Sequence, residues 1–387
     1  MNNLRSHFLL RPDVAFLNHG SFGATPRPVF QRYQEWQRQL ELEPVEFLGR
    51  RAPELLRESR AALGQMLNAD PDDLVYITNA TTGVNIVARS LQLGPGDEVL
   101  TTNHEYGACD NIWRFLSGKQ GFRYRAVEIP VPVTTHADFL ERFVAEITPQ
   151  TRAIFISHIT SPTALTFPIA ELCHVARQRG ILTIVDGAHI PGQLPLDLRA
   201  LDADFYTGNL HKWLCAPKGA AFLYARRSLQ ELLEPLVISW GWNAPFSKGS
   251  QFLDYLEYGG TSDISAPLSV PAAIEFFQQN DWWNVVENCH QLVLRSRPAI
   301  AAALDAQPIA PNGNGGSEWF RQMSAFLLPE GMPGDILHSR LFNEHHVEIP
   351  TFPWQGRWAI RIAVQGYNTW TDVERLLSGV QEIRKTL

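Results

Sequence analysis

The chain predicts an α/β fold, with a large domain built on a mostly parallel sheet and a smaller α+β domain after it. Three observations point there. Helix and strand signals alternate along 387 residues, a length that buries a sizeable core and divides into two domains. Residues 152–159 and 181–185 are apolar almost throughout, as strands are when helices cover both faces of a sheet. Between them Pro168 opens a helix that Gly180 closes, so the three form a βαβ unit. Composition then shifts near Pro267 to a helical stretch reaching about Ala303, and the Pro- and Gly-rich residues 308–316 mark a linker or long loop. The expected division is an N-terminal segment 1–15, a large domain 16–262 and a small domain 263–387.

With 45% hydrophobic and 19% charged residues the composition is that of a globular protein. A net charge of -7 argues against a nucleic-acid footprint, which needs a basic face, and favours small-molecule chemistry. Cys109, Cys173, Cys215 and Cys289 form no CxxC pair, so neither a zinc knuckle nor a disulfide framework is indicated. The apolar run Phe8-Leu9-Leu10 is too short for a signal peptide, and no stretch is long enough to cross a bilayer. A cytoplasmic protein without membrane partners is the expectation.

Taken in order, Leu17-Asn18-His19-Gly20-Ser21-Phe22-Gly23 reads as a Gly-punctuated loop. It is not a serine nucleophile elbow, because His19 stands where that motif needs its first glycine. Residues 31–60 are mostly helical, broken at Pro44. A β-like run over 73–78 leads into Asn79-Ala80-Thr81-Thr82-Gly83, and Val84, Ile86, Val87 and Leu91 continue with helical spacing. The N-terminus of that helix, with the hydroxyls of Thr81 and Thr82, can hold a phosphate dianion without any lysine; threonine N-capping is the alternative role. A strand over 98–101 leads to the polar loop His104-Glu105-Tyr106-Gly107-Ala108. His104 and Cys109 lack further ligands at metal spacing, so a ring stacked on a flat ligand is the better reading of this loop.

Asp186 follows four apolar positions at the carboxyl end of its strand, where open α/β sheets keep their ligands. A carboxylate buried there needs a cation or hydrogen-bond donors. Residues 204–219 place Lys212 in a loop between two β-like runs, with Asn209 and His211 beside it, and a lysine in such company suits a Schiff base. Residues 240–258 are crowded with Trp240, Trp242, Phe246, Phe252, Tyr255 and Tyr258, which read as core or dimer face ahead of a substrate wall. The turn Gly259-Gly260-Thr261-Ser262-Asp263 is a second hydroxyl-rich anion site. Near the end, Trp358, Ile360, Ile362 and Val364 alternate as a strand with one face buried, and Arg361 emerges on the other, suited to clamp a carboxylate, although a surface salt bridge is the commoner fate of such an arginine. Thr371 and Glu374 predict the capping box of the last helix.

A Schiff-base lysine, a buried aspartate upstream, a ring-bearing loop, two anion turns and an arginine together match what pyridoxal 5'-phosphate requires: an amine for its aldehyde, a carboxylate for its ring nitrogen, a stacking ring and a phosphate site. The motifs Asn18-His19-Gly20-Ser21-Phe22-Gly23, Asn79-Ala80-Thr81-Thr82-Gly83, His104-Glu105-Tyr106, Asp186-Gly187-Ala188-His189, His211-Lys212-Trp213, Gly260-Thr261 and Arg361-Ile362 before Tyr367-Asn368 carry a resemblance over nearly the whole chain. In this order they resemble the class V aminotransferase family of fold-type I pyridoxal-phosphate enzymes, nearest its isopenicillin N epimerase-like branch.

The resemblance implies a seven-stranded type of large-domain sheet and the following roles. Lys212 carries the Schiff base, Asp186 faces the ring nitrogen, and His189 and Ser161 lie near the ring hydroxyl. Thr81, Thr82, Asn209 and His211 hold the phosphate, with Thr261 reaching in from the partner of a homodimer. Tyr106 or His104 stacks on the ring, Tyr106 being preferred because Ala108 matches the family's spacing, and Arg361 with Asn18 faces the substrate. No cysteine follows Cys289, so desulfuration through a persulfide is not expected. The implied reaction removes the Cα proton of an amino acid with Lys212 as base, leading to epimerisation; carbon-sulfur β-elimination, transamination, or a regulatory module without turnover are the alternatives.

Overall fold

The structure, a computed structural model, describes residues 4–243, 249–311 and 316–386. Phe246 and residues 312–315 of the Pro- and Gly-rich stretch lie outside these. The apolar runs of the first two-thirds build one seven-stranded sheet in the order Leu74–Ile77, Ala221–Ala225, Phe205–Asn209, Leu182–Asp186, Thr151–Ser157, Glu98–Thr102, Arg123–Val127. Only Ala221–Ala225 runs against its neighbours; the other pairings are parallel. Successive residues of a strand enter different cores: Ile184 packs into one hydrophobic cluster and Val185 into the other. Helices therefore cover both faces, as the near-continuous apolar strands required.

Register then fixes the functional edge. Ser157 pairs with Asp186, and Asp186 with Thr207, so three parallel strands end together. Asn209 lies just beyond, at the end of its own strand, and the Lys212 loop turns from there into the antiparallel Ala221–Ala225. The carboxyl edge of the sheet is thus where the predicted site gathers.

The C-terminal part is a four-stranded antiparallel sheet ordered Thr351–Trp354, Arg357–Ala363, Met323–Leu327, Gln307–Pro308, with the helices Trp282–Leu304, Gly334–His345 and Trp370–Arg384 packed beside it. Two expectations change here. Arg357–Ala363 was expected to bury one face, yet every residue from Ala359 to Ala363 is buried, Arg361 included. The face carrying Arg361 meets Ser21 and Ser161 instead of water. The capping box of Trp370–Arg384 is formed by Thr369 and Asp372, not Thr371 and Glu374, because the helix begins two residues earlier than the pattern implied.

The N-terminal segment ties the two sheets together. Ala15–Phe16 pairs in parallel with Val347–Glu348, and Asn18 bridges to Ala363, so residues 15–18 belong with the C-terminal sheet. The Gly-punctuated stretch then forms a short helix, His19–Phe22, where a loop was expected. Gly23 leaves it at φ 70° and ψ 172°, a conformation essentially confined to glycine. A Cβ there would lie 2.0 Å from the carbonyl oxygen of His211 and 2.9 Å from Cα of Lys212. Gly23→Ala is therefore expected to lower stability by about 2 kcal/mol or more, read as the shift in a denaturant or thermal unfolding curve. An unfolding curve like that of the native chain would show that this segment does not press on the lysine loop.

Candidate active site

Lys212 is held by its backbone before its side chain does anything. The Lys212 carbonyl accepts from His19 Nε2 at 2.9 Å and from the Cys215 N–H at 3.1 Å, the latter closing a turn with Cys215 at φ 61°. His19 Nδ1 in turn accepts from the Tyr367 hydroxyl at 2.9 Å. Burial keeps His19 neutral, with its pKa pushed down to about 3, so the ring works as a fixed strut with one donor and one acceptor. A residue near the N-terminus and one near the C-terminus thus fix the lysine loop.

The Lys212 amine points into the interior. Burial is the main cause that lowers its pKa to about 8; Arg361 lowers it further, while Asp186 and Cys109 oppose. Its Nζ lies 3.1 Å from His189 Nε2. Asp186 is buried, with Oδ1 accepting from the Ala188 N–H at 2.9 Å and Oδ2 from the Cys109 thiol at 3.5 Å. Its pKa is raised by burial, against the lowering effects of Ala188, Lys212 and Cys109. Among the described residues Asp186 has no ion pair, so the cation that its burial calls for is left to a ligand.

These groups line a cavity of about 600 Å³ together with Thr81, Thr82, Tyr106, Ser161, Asn209 and His211. At one end lies the start of the helix Ala80–Ser90. Its cap is Asn79, whose Oδ1 accepts from the Thr82 N–H at 2.9 Å, so neither threonine is the capping residue. Asn209 Oδ1 takes the Ala80 N–H at 2.8 Å, which leaves the amide NH2 of Asn209 to donate. His211 Nδ1 donates to the Ala220 carbonyl at 3.1 Å, and burial, Lys212 and Lys218 hold its pKa down to about 4. Its Nε2 donates to an anion only once the ring is protonated, which a phosphate dianion alongside favours. Lys218 also lines the cavity, with Nζ donating to the Gly23 carbonyl at 3.1 Å. Lys218 thus adds a cation to the same cavity wall as the helix start.

The ring question resolves toward Tyr106, which lines the cavity and is 46% exposed. His104 is fully buried elsewhere: Nδ1 meets Thr163 Oγ1, Nε2 donates to the Ile129 carbonyl, and its ring packs against Phe167 and Trp354. A histidine with both nitrogens satisfied in the core is unavailable to a ligand. Arg361 reaches the site through Nη1, bonded to the carbonyl and hydroxyl of Ser161, and Nη2, 3.3 Å from Ser21 Oγ. Its Nε is buried with no partner among the described residues, and Arg361 itself stands behind the cavity wall, with Ser161 and Ser21 between. Asn18 stands one step back, donating to Glu348 and accepting from Ser21 Oγ at 2.5 Å; it buttresses Ser21 and does not line the cavity. Thr261 is exposed and outside this cavity of its own chain.

Sequence reasoning missed Lys218, Ser21, Phe22 and Leu236 on the cavity wall. Lys218 had a signal, since Pro217-Lys218-Gly219 follows the lysine loop closely; Leu236 had none, being brought in by tertiary packing. The donor set fits pyridoxal 5'-phosphate: an amine with a lowered pKa, a buried carboxylate without a cation, a helix start with Lys218 for phosphate, a ring, and an arginine with an idle Nε.

In the cofactor-free chain the amine form of Lys212 should grow as pH rises through about 8, where an ordinary lysine needs about 10.5. Aldehyde capture followed by absorbance is expected to rise across that window and level off above it. Arg361→Met removes a neighbouring cation and should move the inflection to higher pH. An inflection near 10.5 in the native chain would mean that the amine is not desolvated.

Comparison with known proteins agrees with this geometry. The family described as Aminotransferase class-V matches residues 17–311. The chain is 36% identical to isopenicillin N epimerase of Amycolatopsis lactamdurans over 99% of this chain and 98% of that one. It is 28% identical to the probable chloroplastic L-cysteine desulfhydrase of Arabidopsis thaliana over 95% of this chain and 83% of that one. Among solved structures, a mutant of C-DES with glycine covalently linked to its PLP cofactor superposes with a TM-score of 0.85 at 20% identity, covering 98% of this chain and 99% of that one. A lysine on a two-sided clamp, at the carboxyl edge of a fold shared across this group, places the sequence among them: the chain belongs to the class V aminotransferase family.

Proposed function

We propose that this chain is a pyridoxal 5'-phosphate enzyme that breaks a bond at Cα of an amino acid in the manner of isopenicillin N epimerase. The carrying observation is Lys212, a buried amine whose pKa falls to about 8 beside a buried carboxylate without an ion pair. Bound in the cavity, the cofactor supplies an aldehyde that an amine can hold and an electron sink for charge developing at Cα. The residues of the chain do the rest. Arg361 orients the substrate carboxylate, Lys212 accepts the Cα proton near neutral pH, and Asp186 supports a cationic ring nitrogen. Tyr106 is the remaining phenol on the cavity wall and the candidate proton donor for an inverting reprotonation.

Relatives named cysteine desulfhydrase support a second reading, carbon-sulfur β-elimination. It uses the same Cα proton removal by Lys212 and needs only a leaving group at Cβ. Incubation of the cofactor-loaded chain with a panel of amino acids in deuterium oxide separates the two. Cα exchange with inversion is expected; pyruvate release with sulfide would replace the epimerase reading by the lyase reading, and no exchange with any substrate would sink both. Tyr106→Phe should reduce inversion by roughly a hundredfold or more while leaving Cα exchange nearer the native rate.

The site is further proposed to be completed by a second copy of the chain. Thr261 is exposed on its turn, and Leu236, Val237, Ile238, Trp240 and Trp242 expose apolar surface on a neighbouring stretch. Gel filtration of the cofactor-loaded chain should give the mass of two chains, and Thr261→Ala should weaken cofactor retention. A one-chain mass with cofactor bound would remove the partner from the site.

A further inference from the structure

Trp213 follows Lys212 directly and is fully buried. Its indole Nε1 lies 3.1 Å from His189 Nδ1. An indole N–H only donates, so His189 Nδ1 must carry a lone pair. His189 is neutral, its pKa held well below the usual value by burial and then by Lys212 and Arg361. A neutral imidazole with a lone pair on Nδ1 carries its proton on Nε2. That nitrogen is the one 3.1 Å from Lys212 Nζ. An Nε2–H faces Nζ favourably only when Nζ offers a lone pair, because an ammonium would set donor against donor.

We propose that Trp213 is a positioning residue which holds His189 as its Nε2–H tautomer, so that His189 presents a donor to the Lys212 amine and disfavours the ammonium form. The adjacency of Lys212 and Trp213 makes the device local, since one loop places the amine on one side of His189 and the indole on the other. The His189 carbonyl also accepts from Gln193 Nε2 at 2.7 Å, which steadies the backbone beneath the ring. With the cofactor bound, the same Nε2–H remains available to an acceptor on the ring of the cofactor. The inference deepens the reading of Lys212 as the reacting amine; its readout is a histidine tautomer and a lysine reactivity, neither of which depends on the bond broken at Cα.

The test uses the full-length chain labelled with 15N-histidine, cofactor-free and cofactor-loaded, with His189 assigned by loss of its signals in His189→Asn. Long-range 1H-15N correlation should show Nε2 protonated and Nδ1 bare in the native chain. A native Nδ1–H tautomer overturns the proposal without any variant of Trp213 being needed. Trp213→Phe keeps an aromatic ring without the donor and should allow a mixture of tautomers. In the same variant the acylation rate of Lys212 at neutral pH, read by peptide mass spectrometry, should fall roughly three- to tenfold as the ammonium form recovers. A Trp213→Phe protein with an unchanged tautomer and unchanged Lys212 reactivity would show that the indole only fills space.

Discussion

The desolvation of one amine governs this molecule. Lys212 carries a group that water holds strongly, and burial draws its pKa to about 8. Several of the polar groups around it are themselves uncharged. His19, His189 and His211 are all kept neutral by burial. Glu105, close enough to Asp186 to feel its charge, has its pKa raised to about 8, with burial as the chief cause. Its Oε1 accepts from the Thr102 hydroxyl and its Oε2 from the Ser157 hydroxyl and N–H. The floor of the site thus carries Asp186 as its chief anion, and Lys212 is held short of a full ion pair that would fix it as ammonium.

That arrangement holds only if the two sheets stay in register with each other. His19 joins the lysine loop to Tyr367, and Arg361 joins the C-terminal sheet to Ser161 beyond the large one. The cavity wall itself comes from residues between Ser21 and Leu236, and the C-terminal sheet supports it from behind through Arg361 on Ser21 and Ser161. Gly23 lets the N-terminal segment approach the backbone of Lys212, and the parallel pairing of Ala15–Phe16 with Val347–Glu348 anchors that segment to the C-terminal part. The arginine that would orient a substrate is therefore positioned by the same contacts that hold the lysine.

Much of this was legible in the sequence because buried parallel strands write themselves as apolar runs and their ends as polar loops. Asp186 followed from that rule, while Lys212 was singled out by its polar neighbours and Asn209 by the family resemblance. Choices between neighbours of similar chemistry depend on more than the strand pattern. His104 and Tyr106 both offer a ring after one strand, and only the tertiary fold turns His104 into the core between Thr163 and Ile129. Thr369 and Thr371 both precede a carboxylate by three positions, and a shift of two residues at the helix start decides between them. Arg361 looked as if it alternated to the surface, because a strand pattern cannot reveal that its outer face meets another domain. Trp213 was visible as a residue but silent as a donor, since its partner lies 24 positions upstream.

The charges in the cavity also select its ligand. The chain as a whole has a net charge of -7, yet Lys212 and Lys218 line one cavity whose buried anion is Asp186, and Arg361 stands behind its wall on Ser21 and Ser161. Each cation is partly stripped of water: the pKa of Lys218 is lowered by burial, and that of Arg361 is brought to about 10 by the same cause. A desolvated cation without its own carboxylate gains by meeting an anion that arrives from solution. A phosphate ester is such an anion, and Lys218 and the start of the Ala80–Ser90 helix both stand on the cavity wall.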